Sequence, residues 1–165
     1  IDAKDSDAQA LYEAAGLLAK QKKAVTPESV LAVLDAPDAE RKVQAGADSA
    51  ITQYFYNPDA YCRFVDEVRA LGCTVPVVAG IMPIVNFTQL ARFSDACGAE
   101  IPRWVRKRLE SYGDDREAIR AFGLDVVTEL CERLFARGAP GLHFYTMNQF
   151  EPTAELVRRL GLAPS

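Results

Sequence analysis

The chain has 165 residues, of which 49% are hydrophobic and 25% charged, a balance typical of one soluble globular domain. A net charge of −4 and the absence of any basic block argue against nucleic acid or an anionic membrane surface as partners. The sequence has no long apolar run, and its start lacks the basic head and apolar centre of a signal peptide, so we expect a cytoplasmic protein without a membrane segment.

The first 46 residues show helical patterns with no strand pattern between them. Residues 7–21 predict a helix, and residues 27–35 and 37–46 predict two more. In a protein of alternating strands and helices this gap is conspicuous, and we expect the missing strands to precede this chain. The predicted organisation is one partial domain over 1–165, with a mostly helical lead-in over 1–46 and βα units over 47–161.

Two βα units follow the lead-in. Residues 50–56 read as a strand, and residues 58–71 have a helical period that starts near Pro58 and stops at Gly72. Residues 74–81 form a continuous apolar strand pattern, and the helix after it has Asn86 as its N-cap and Gly98 as its stop.

The last third of the chain continues the rhythm. Residues 101–111 predict a short helix, and residues 113–138 predict a long amphipathic helix whose Asp114 and Asp115 are N-terminal acids. A third strand over 141–147 and a closing helix over 152–161 complete the pattern. The sequence thus predicts an α/β fold with a parallel sheet, either doubly wound or closed into a barrel.

The cysteines and the single histidine do not indicate a metal site. His143 lies in an apolar strand, which favours a hydrogen-bonded core histidine over a general base. No cysteine belongs to a CxxC pair, and we interpret all four as reduced, mostly buried thiols: Cys62, Cys73, Cys97 and Cys131. No motif for a serine nucleophile, a zinc protease or a phosphate-binding loop is present.

Amides and aromatic residues collect at the predicted strand ends, where parallel βα folds bind their ligands. The three ends contain Gln53, Gln89 and Tyr145 with Gln149, and few charges, which suits a flat, uncharged heterocycle. Gln53 has two interpretations. It is either a strand-end glutamine that hydrogen-bonds neighbouring backbone or a polar side chain that recognises a ligand.

Three stretches at these strand ends resemble the methylenetetrahydrofolate reductase family. They are RKVQAGADSAITQYFYN, VPVVAGIMPIVNFTQLARFSDACGAEIPRWV and GLHFYTMNQ, which together cover about residues 40–161. The resemblance implies a (β/α)₈ TIM barrel with flavin adenine dinucleotide (FAD) at the carboxyl ends of its strands. The chain would then represent roughly the second half of that barrel.

The resemblance assigns substrate-binding roles to five residues. Gln53 would hydrogen-bond the pterin of the folate, and Gln89 matches a second family glutamine. Phe93 would either contact the aminobenzoyl ring or have a plain core role. Tyr145 would line the folate site. Gln149 stands where many members have an arginine, and an amide there cannot supply a fixed charge.

On the cofactor side, the resemblance places Lys42 near the FAD phosphates and gives Asp35 a flavin contact. Thr26 stands where the family usually has a histidine. No catalytic residue is identified in this chain, because the family's proton-donating glutamate would precede residue 1.

The function that this resemblance implies is reduction of 5,10-methylenetetrahydrofolate to 5-methyltetrahydrofolate in one-carbon metabolism and methionine biosynthesis. The expected cofactor is FAD, with NADH or NADPH as co-substrate, and the expected assembly is a homo-oligomer because a half-barrel leaves open sheet edges. The alternative is a truncated, noncatalytic homologue that acts as a folate-binding or interaction module. The two are separated by whether FAD binds.

Overall fold

The computed structural model describes residues 49–70, 72 and 74–162. Strands and helices alternate along most of this range, which confirms the predicted α/β fold. The elements are β1 (Ala50–Tyr54), α1 (Pro58–Ala70), β2 (Val77–Ile81), α2 (Phe87–Cys97), α3 (Arg103–Ser111), α4 (Arg116–Ala136), β3 (Leu142–Phe144) and α5 (Phe150–Arg159). The predicted helical lead-in and its two flavin-binding candidates, Lys42 and Asp35, lie outside the described residues.

The three strands form one parallel sheet in the order β1-β2-β3. Ala50 pairs with Val77, and Ala79 pairs with Leu142, so the carboxyl ends of all three strands lie at the same end of the sheet. The register of β1 against β2 is irregular before Tyr54. The parallel arrangement confirms the prediction from the strand and helix order.

Local hydrogen bonds fix the helix ends that the sequence predicts. The Asn86 side chain accepts from the backbone N–H of Gln89 at the start of α2, and Gly98 ends that helix with a φ of 72°. The Asp115 side chain caps α4 in the same way, accepting from the N–H of Ala118. The Asn86 cap and the Gly98 stop confirm both predicted ends of α2, whereas the Asp115 cap starts α4 at Arg116, three residues after the predicted start.

The core is formed by the sheet together with buried residues from all five helices. Val77, Ala79 and Ile81 of β2 are all buried, as are residues of α4 such as Val127 and Leu134. The long helix approaches the chain after β2 closely, since a Cβ at Gly123 would lie 2.4 Å from the Ile84 carbonyl oxygen. No helix in the described part of the chain is both long enough and apolar enough to cross a membrane.

Three expectations from the sequence are wrong. β3 is shorter than predicted, because the chain turns at residues 146–149. His143 is exposed rather than part of the core, since alternation in β3 turns it away from the face of Leu142 and Phe144, which packs against the core. The three described thiols are free, as expected, but less buried than expected: Cys131 is buried, whereas Cys62 and Cys97 are half-buried, and Cys73 lies outside the described residues.

Candidate functional site

A shallow cleft that encloses about 20 Å³ lies at the carboxyl ends of β2 and β3 and opens to solvent. Four of the five predicted substrate-binding residues line it: Gln89 and Phe93 from α2, and Tyr145 and Gln149 from the connection between β3 and α5. No charged side chain is among the described residues of the lining. The full lining is Met82, Pro83, Val85, Asn86, Gln89, Leu90, Phe93, Tyr145, Thr146, Met147, Gln149 and Pro152.

Helix α2 places Gln89 and Phe93 on one face, because residues four apart are neighbours on a helix surface. Leu90 between them is buried and anchors this face to the core. The helix begins at the cap in which Asn86 Oδ1 accepts from the N–H of Gln89 at 2.8 Å. The same short segment therefore starts the helix and presents the side chains of the cleft.

We expect Asn86→Ala to lower the free energy of unfolding by about 1 kcal/mol, because the helix loses a capping hydrogen bond. The control is Asn86→Ser, which retains a capping oxygen and is expected to cost only a few tenths of that amount. Urea unfolding of both variants measures the difference. Equal losses in the two variants would show that the cap is not what holds this end of α2.

Tyr145 is held by contacts on several sides. Its hydroxyl donates to the backbone oxygen of Thr52 at 2.9 Å, and its N–H donates to the oxygen of Ile81 at 2.8 Å. Its ring packs edge-on against Tyr54 and His143, with centroid distances of 6.3 and 4.9 Å. Because the hydroxyl proton is already donated within the protein, the ring of Tyr145 is the part suited to a ligand.

Gly80 provides the space for the Tyr145 ring. A Cβ at residue 80 would lie 2.9 Å from Cε2 of Tyr145 and 2.2 Å from the backbone oxygen of Thr52. The Gly80 N–H donates to the hydroxyl of Thr52 at 2.9 Å, which holds the two strands together where the register is irregular. A residue without a side chain is therefore required next to the cleft.

Gln53 lies outside the cleft lining. Its side chain is exposed, and its Oε1 accepts from the backbone N–H of Tyr54 at 3.0 Å. This is the geometry of a strand-end glutamine bonded to neighbouring backbone. Gln53 still adjoins the site, because it follows Thr52, to which the hydroxyl of Tyr145 is bonded.

A buried polar cluster joins β1 to α2 behind the cleft. The Tyr54 hydroxyl shares a hydrogen bond of 3.0 Å with Ser94 Oγ, and the Cys97 thiol donates to the same hydroxyl at 3.6 Å. Burial is the main cause that raises the pKa of Tyr54 well above its ordinary value. Since Ser94 follows Phe93 directly, this cluster helps to fix the side of α2 that faces the sheet.

Alkaline pH is expected to destabilise the protein. Burial also raises the pKa of Tyr56, whose hydroxyl donates to the oxygen of Met82. A raised pKa in the folded state means that stability is fully present below the unfolded value of 10.0 and is lost as pH rises above it. The loss for Tyr56 alone is about 1.4 kcal/mol per pH unit.

Urea unfolding at pH values from 8 to about 11 measures this loss. The matched variant is Tyr56→Phe, which cannot ionise and is expected to flatten the pH dependence while lowering stability at pH 8. A curve that is equally steep in the variant would contradict the assignment of the loss to Tyr56.

A second cavity of about 180 Å³ lies beside the first, between α4, α5 and the chain after β2. The two share Pro83, Val85 and Pro152 as a common wall. The second cavity differs in carrying charges, from Arg120 and from two glutamates of α5. It contains none of the predicted site residues.

The described residues offer no metal site, since none of their His, Cys, Asp and Glu side chains form a group of three able to hold an ion. A flavin would need a partner for its diphosphate. The first cleft has no cation among its described lining residues, so no flavin contact is assigned to it. Its uncharged amides and rings fit a planar, uncharged ring system rather than a diphosphate.

Sequence reasoning missed Met147 as a lining residue. The signal was weak, because Met147 follows Tyr145 by two positions in a segment predicted as a strand, and alternation alone does not show that the chain turns there. Asn86 was identified as a cap, and the structure adds that it also lines the cleft.

The methylenetetrahydrofolate reductase family model matches residues 24–161 of this chain. A probable methylenetetrahydrofolate reductase (NADH) of Oryza sativa is 40% identical over 123 residues, which are 74% of this chain and 21% of the rice protein. The 5,10-methylenetetrahydrofolate reductase of Escherichia coli K12 is 34% identical over 140 residues, 85% of this chain and 47% of that protein. The chain thus spans a fifth to about half of the length of these relatives.

Among solved structures, an uncharacterized protein from Clostridium thermocellum, described as binding two copies of 5-methyl-5,6,7,8-tetrahydrofolic acid, aligns with a TM-score of 0.49 and 21% identity. The alignment covers 75% of this chain and 46% of that protein, a similarity too low to assign a ligand. The family model, in contrast, matches well over half of the sequence, and the chain belongs to the methylenetetrahydrofolate reductase family.

Proposed function

We propose that this chain is part of a flavin-dependent reductase that converts 5,10-methylenetetrahydrofolate to 5-methyltetrahydrofolate with NADH or NADPH, in one-carbon metabolism and methionine biosynthesis. The observation that carries the proposal is the meeting of four side chains from separate segments in one uncharged cleft: Gln89, Phe93, Tyr145 and Gln149. The cleft lies at the carboxyl ends of parallel strands, where α/β folds bind ligands.

The chemistry of the lining suits a folate. Phe93 and Tyr145 offer ring surfaces to a planar ligand, and Gln89 and Gln149 offer amides that both donate and accept hydrogen bonds. A pterin has both donors and acceptors on its edge, so amides match it better than fixed charges do. Gln53 lies at the end of β1, and its amide would add a hydrogen bond to the edge of the pterin if its Oε1 releases the N–H of Tyr54.

Bound FAD would supply the hydride chemistry, and the residues of this chain would bind and orient the folate. Phe93 and Tyr145 would hold the ring plane and exclude water from the cleft. The phenol of Tyr145 is not assigned as a proton donor, because its proton is directed at the backbone oxygen of Thr52. We assign no catalytic residue to this chain and expect the family's acid ahead of residue 1.

The wider assembly belongs to the same proposal. We infer a (β/α)₈ barrel whose second half is this single partial domain of residues 1–165, with Lys42 and Asp35 as its flavin contacts. A homo-oligomer in the cytoplasm is the expected form. The barrel is supported by family membership together with the parallel sheet of the described residues.

The test is an anaerobic assay of the purified chain with added FAD, following NADH and NADPH oxidation with and without 5,10-methylenetetrahydrofolate. We expect flavin absorbance to accompany the protein and folate binding to weaken in Gln89→Ala. The matched control is Thr88→Ala, an exposed neighbour on α2 that lies outside the cleft. Folate binding without flavin or turnover would favour the noncatalytic module, and binding of neither ligand would contradict both readings.

A further inference from the structure

The second cavity, between α4, α5 and the chain after β2, has a largely apolar lining. Ile84 and Leu156 are buried where they line it, and Leu124 is half-buried. The cavity encloses about 180 Å³, and an apolar cavity of about 150 Å³ is large enough to hold benzene. The apolar part of this cavity therefore has room for a branched aliphatic group.

Two opposite charges border the same cavity, and both are unpaired. Arg120 of α4 and Glu151 of α5 line it, and both residues are exposed. Neither forms an ion pair with the other or with any other residue that the structure describes. Their charged groups are therefore available to a ligand that enters from solvent.

The third charge of the lining, Glu155, is already compensated. Its Oε2 pairs with the guanidinium of Arg158, and its Oε1 lies 3.5 Å from Nε of Arg159. Arg159 also bonds Asp125 of α4 at 2.7 Å, so this network ties the two helices together. Within the described lining, the cavity thus presents one unpaired cation and one unpaired anion.

An apolar lining bordered by one cation and one anion matches a zwitterion with an apolar side chain. At neutral pH a free α-amino acid carries its carboxylate and its ammonium on the same carbon. A guanidinium binds a carboxylate through two parallel N–H···O bonds, and a carboxylate accepts hydrogen bonds from an ammonium group. A ligand with a single charge would leave either Arg120 or Glu151 without a partner.

We propose that the second cavity binds a free α-amino acid with an apolar side chain of about the size of leucine. Arg120 would bind its carboxylate and Glu151 its ammonium group, while Leu124 and Leu156 would contact the side chain. The site lies outside the uncharged cleft, and the inference does not rest on the proposed folate reduction.

Isothermal titration of the whole chain with L-leucine tests the proposal. We expect saturable binding with a Kd of about 0.1–1 mM, a range that suits a ligand this small. Two analogues each lack one charge, 3-methylbutylamine and 4-methylpentanoate, and glycine lacks the apolar side chain. All three are expected to bind at least about tenfold more weakly than L-leucine.

Two variants locate the binding. Arg120→Gln and Glu151→Gln are each expected to raise the Kd for L-leucine about tenfold, because each removes one charged partner. The matched controls are Arg116→Gln and Glu132→Gln, which remove the same charges from exposed positions of α4 outside the cavity. We expect both controls to bind L-leucine as the wild type does and all four variants to unfold at the wild-type urea concentration.

The analogues and the variants contradict the proposal in different ways. Equal affinity for L-leucine and for either single-charge analogue would overturn recognition of a zwitterion. Equal losses in Arg120→Gln and Arg116→Gln would show that surface charge in general, and not the cavity, attracts the ligand. Lack of saturable binding up to about 20 mM L-leucine would overturn the site itself. None of these results bears on the proposed function, since neither folate nor flavin enters the measurement.

Discussion

Gly80→Ala is expected to lower the free energy of unfolding by about 3 kcal/mol, a cost at the upper end of that for overpacking. The new Cβ would lie 2.2 Å from the backbone oxygen of Thr52 and 2.9 Å from Cε2 of Tyr145. The first neighbour is backbone of the adjacent strand and cannot rotate away. β1 and β2 must therefore separate, and the hydrogen bond from the Gly80 N–H to Thr52 is lost with them.

Gly141→Ala is the matched control, because Gly141 also lies at the sheet but a Cβ there would have no neighbour within 4 Å. We expect this variant to stay within about 0.5 kcal/mol of the wild type. Urea unfolding measures both proteins. A loss of under 1 kcal/mol in Gly80→Ala would show that the strands adjust freely. The claim that the Tyr145 ring requires glycine at residue 80 would then be wrong.

Phe93→Ala is expected to weaken binding of 5-methyltetrahydrofolate by about thirtyfold, equivalent to about 2 kcal/mol, because the ligand loses an apolar surface to bury against. Phe93 is half-buried on α2 and lines the cleft. Isothermal titration of the purified chain measures the change. Part of the side chain also packs against the core, so stability must be followed in parallel.

Phe135→Ala provides the control for Phe93→Ala. Phe135 is 38% exposed on α4 and lies outside the lining of the cleft. We expect this variant to bind the folate as the wild type does. If Phe93→Ala keeps the wild-type affinity, or if both variants lose affinity equally, the cleft is not where the aromatic part of the ligand binds.

The helix ends could be predicted from sequence because they depend on short-range contacts. Asn86 and Asp115 each bond an N–H three residues ahead, and Gly98 adopts a left-handed conformation that favours glycine. The i, i+4 spacing of Gln89 and Phe93 similarly predicts that both project from one face of α2. None of these features depends on how distant segments pack.

The positions that sequence could not settle depend on the surroundings of a strand. For Gln53, both a backbone-bonded amide and a ligand reader fit the sequence, and the structure gives the bond to the N–H of Tyr54. His143 is exposed because strand alternation points it away from the packed face, which the apolar character of its neighbours conceals. The turn after β3, in which Met147 and Asn148 have positive φ angles, has no signal in sequence periodicity.

The most direct test of the central claim is an NMR titration of the isotopically labelled chain with 5-methyltetrahydrofolate, following backbone amide shifts. The claim is that the uncharged cleft at the ends of β2 and β3 binds the folate. We predict that the largest shifts occur at Gln89, Phe93, Tyr145 and Gln149. Shifts centred instead on Arg120 and Leu124 of the second cavity, or no shifts at a saturating ligand concentration, would contradict it.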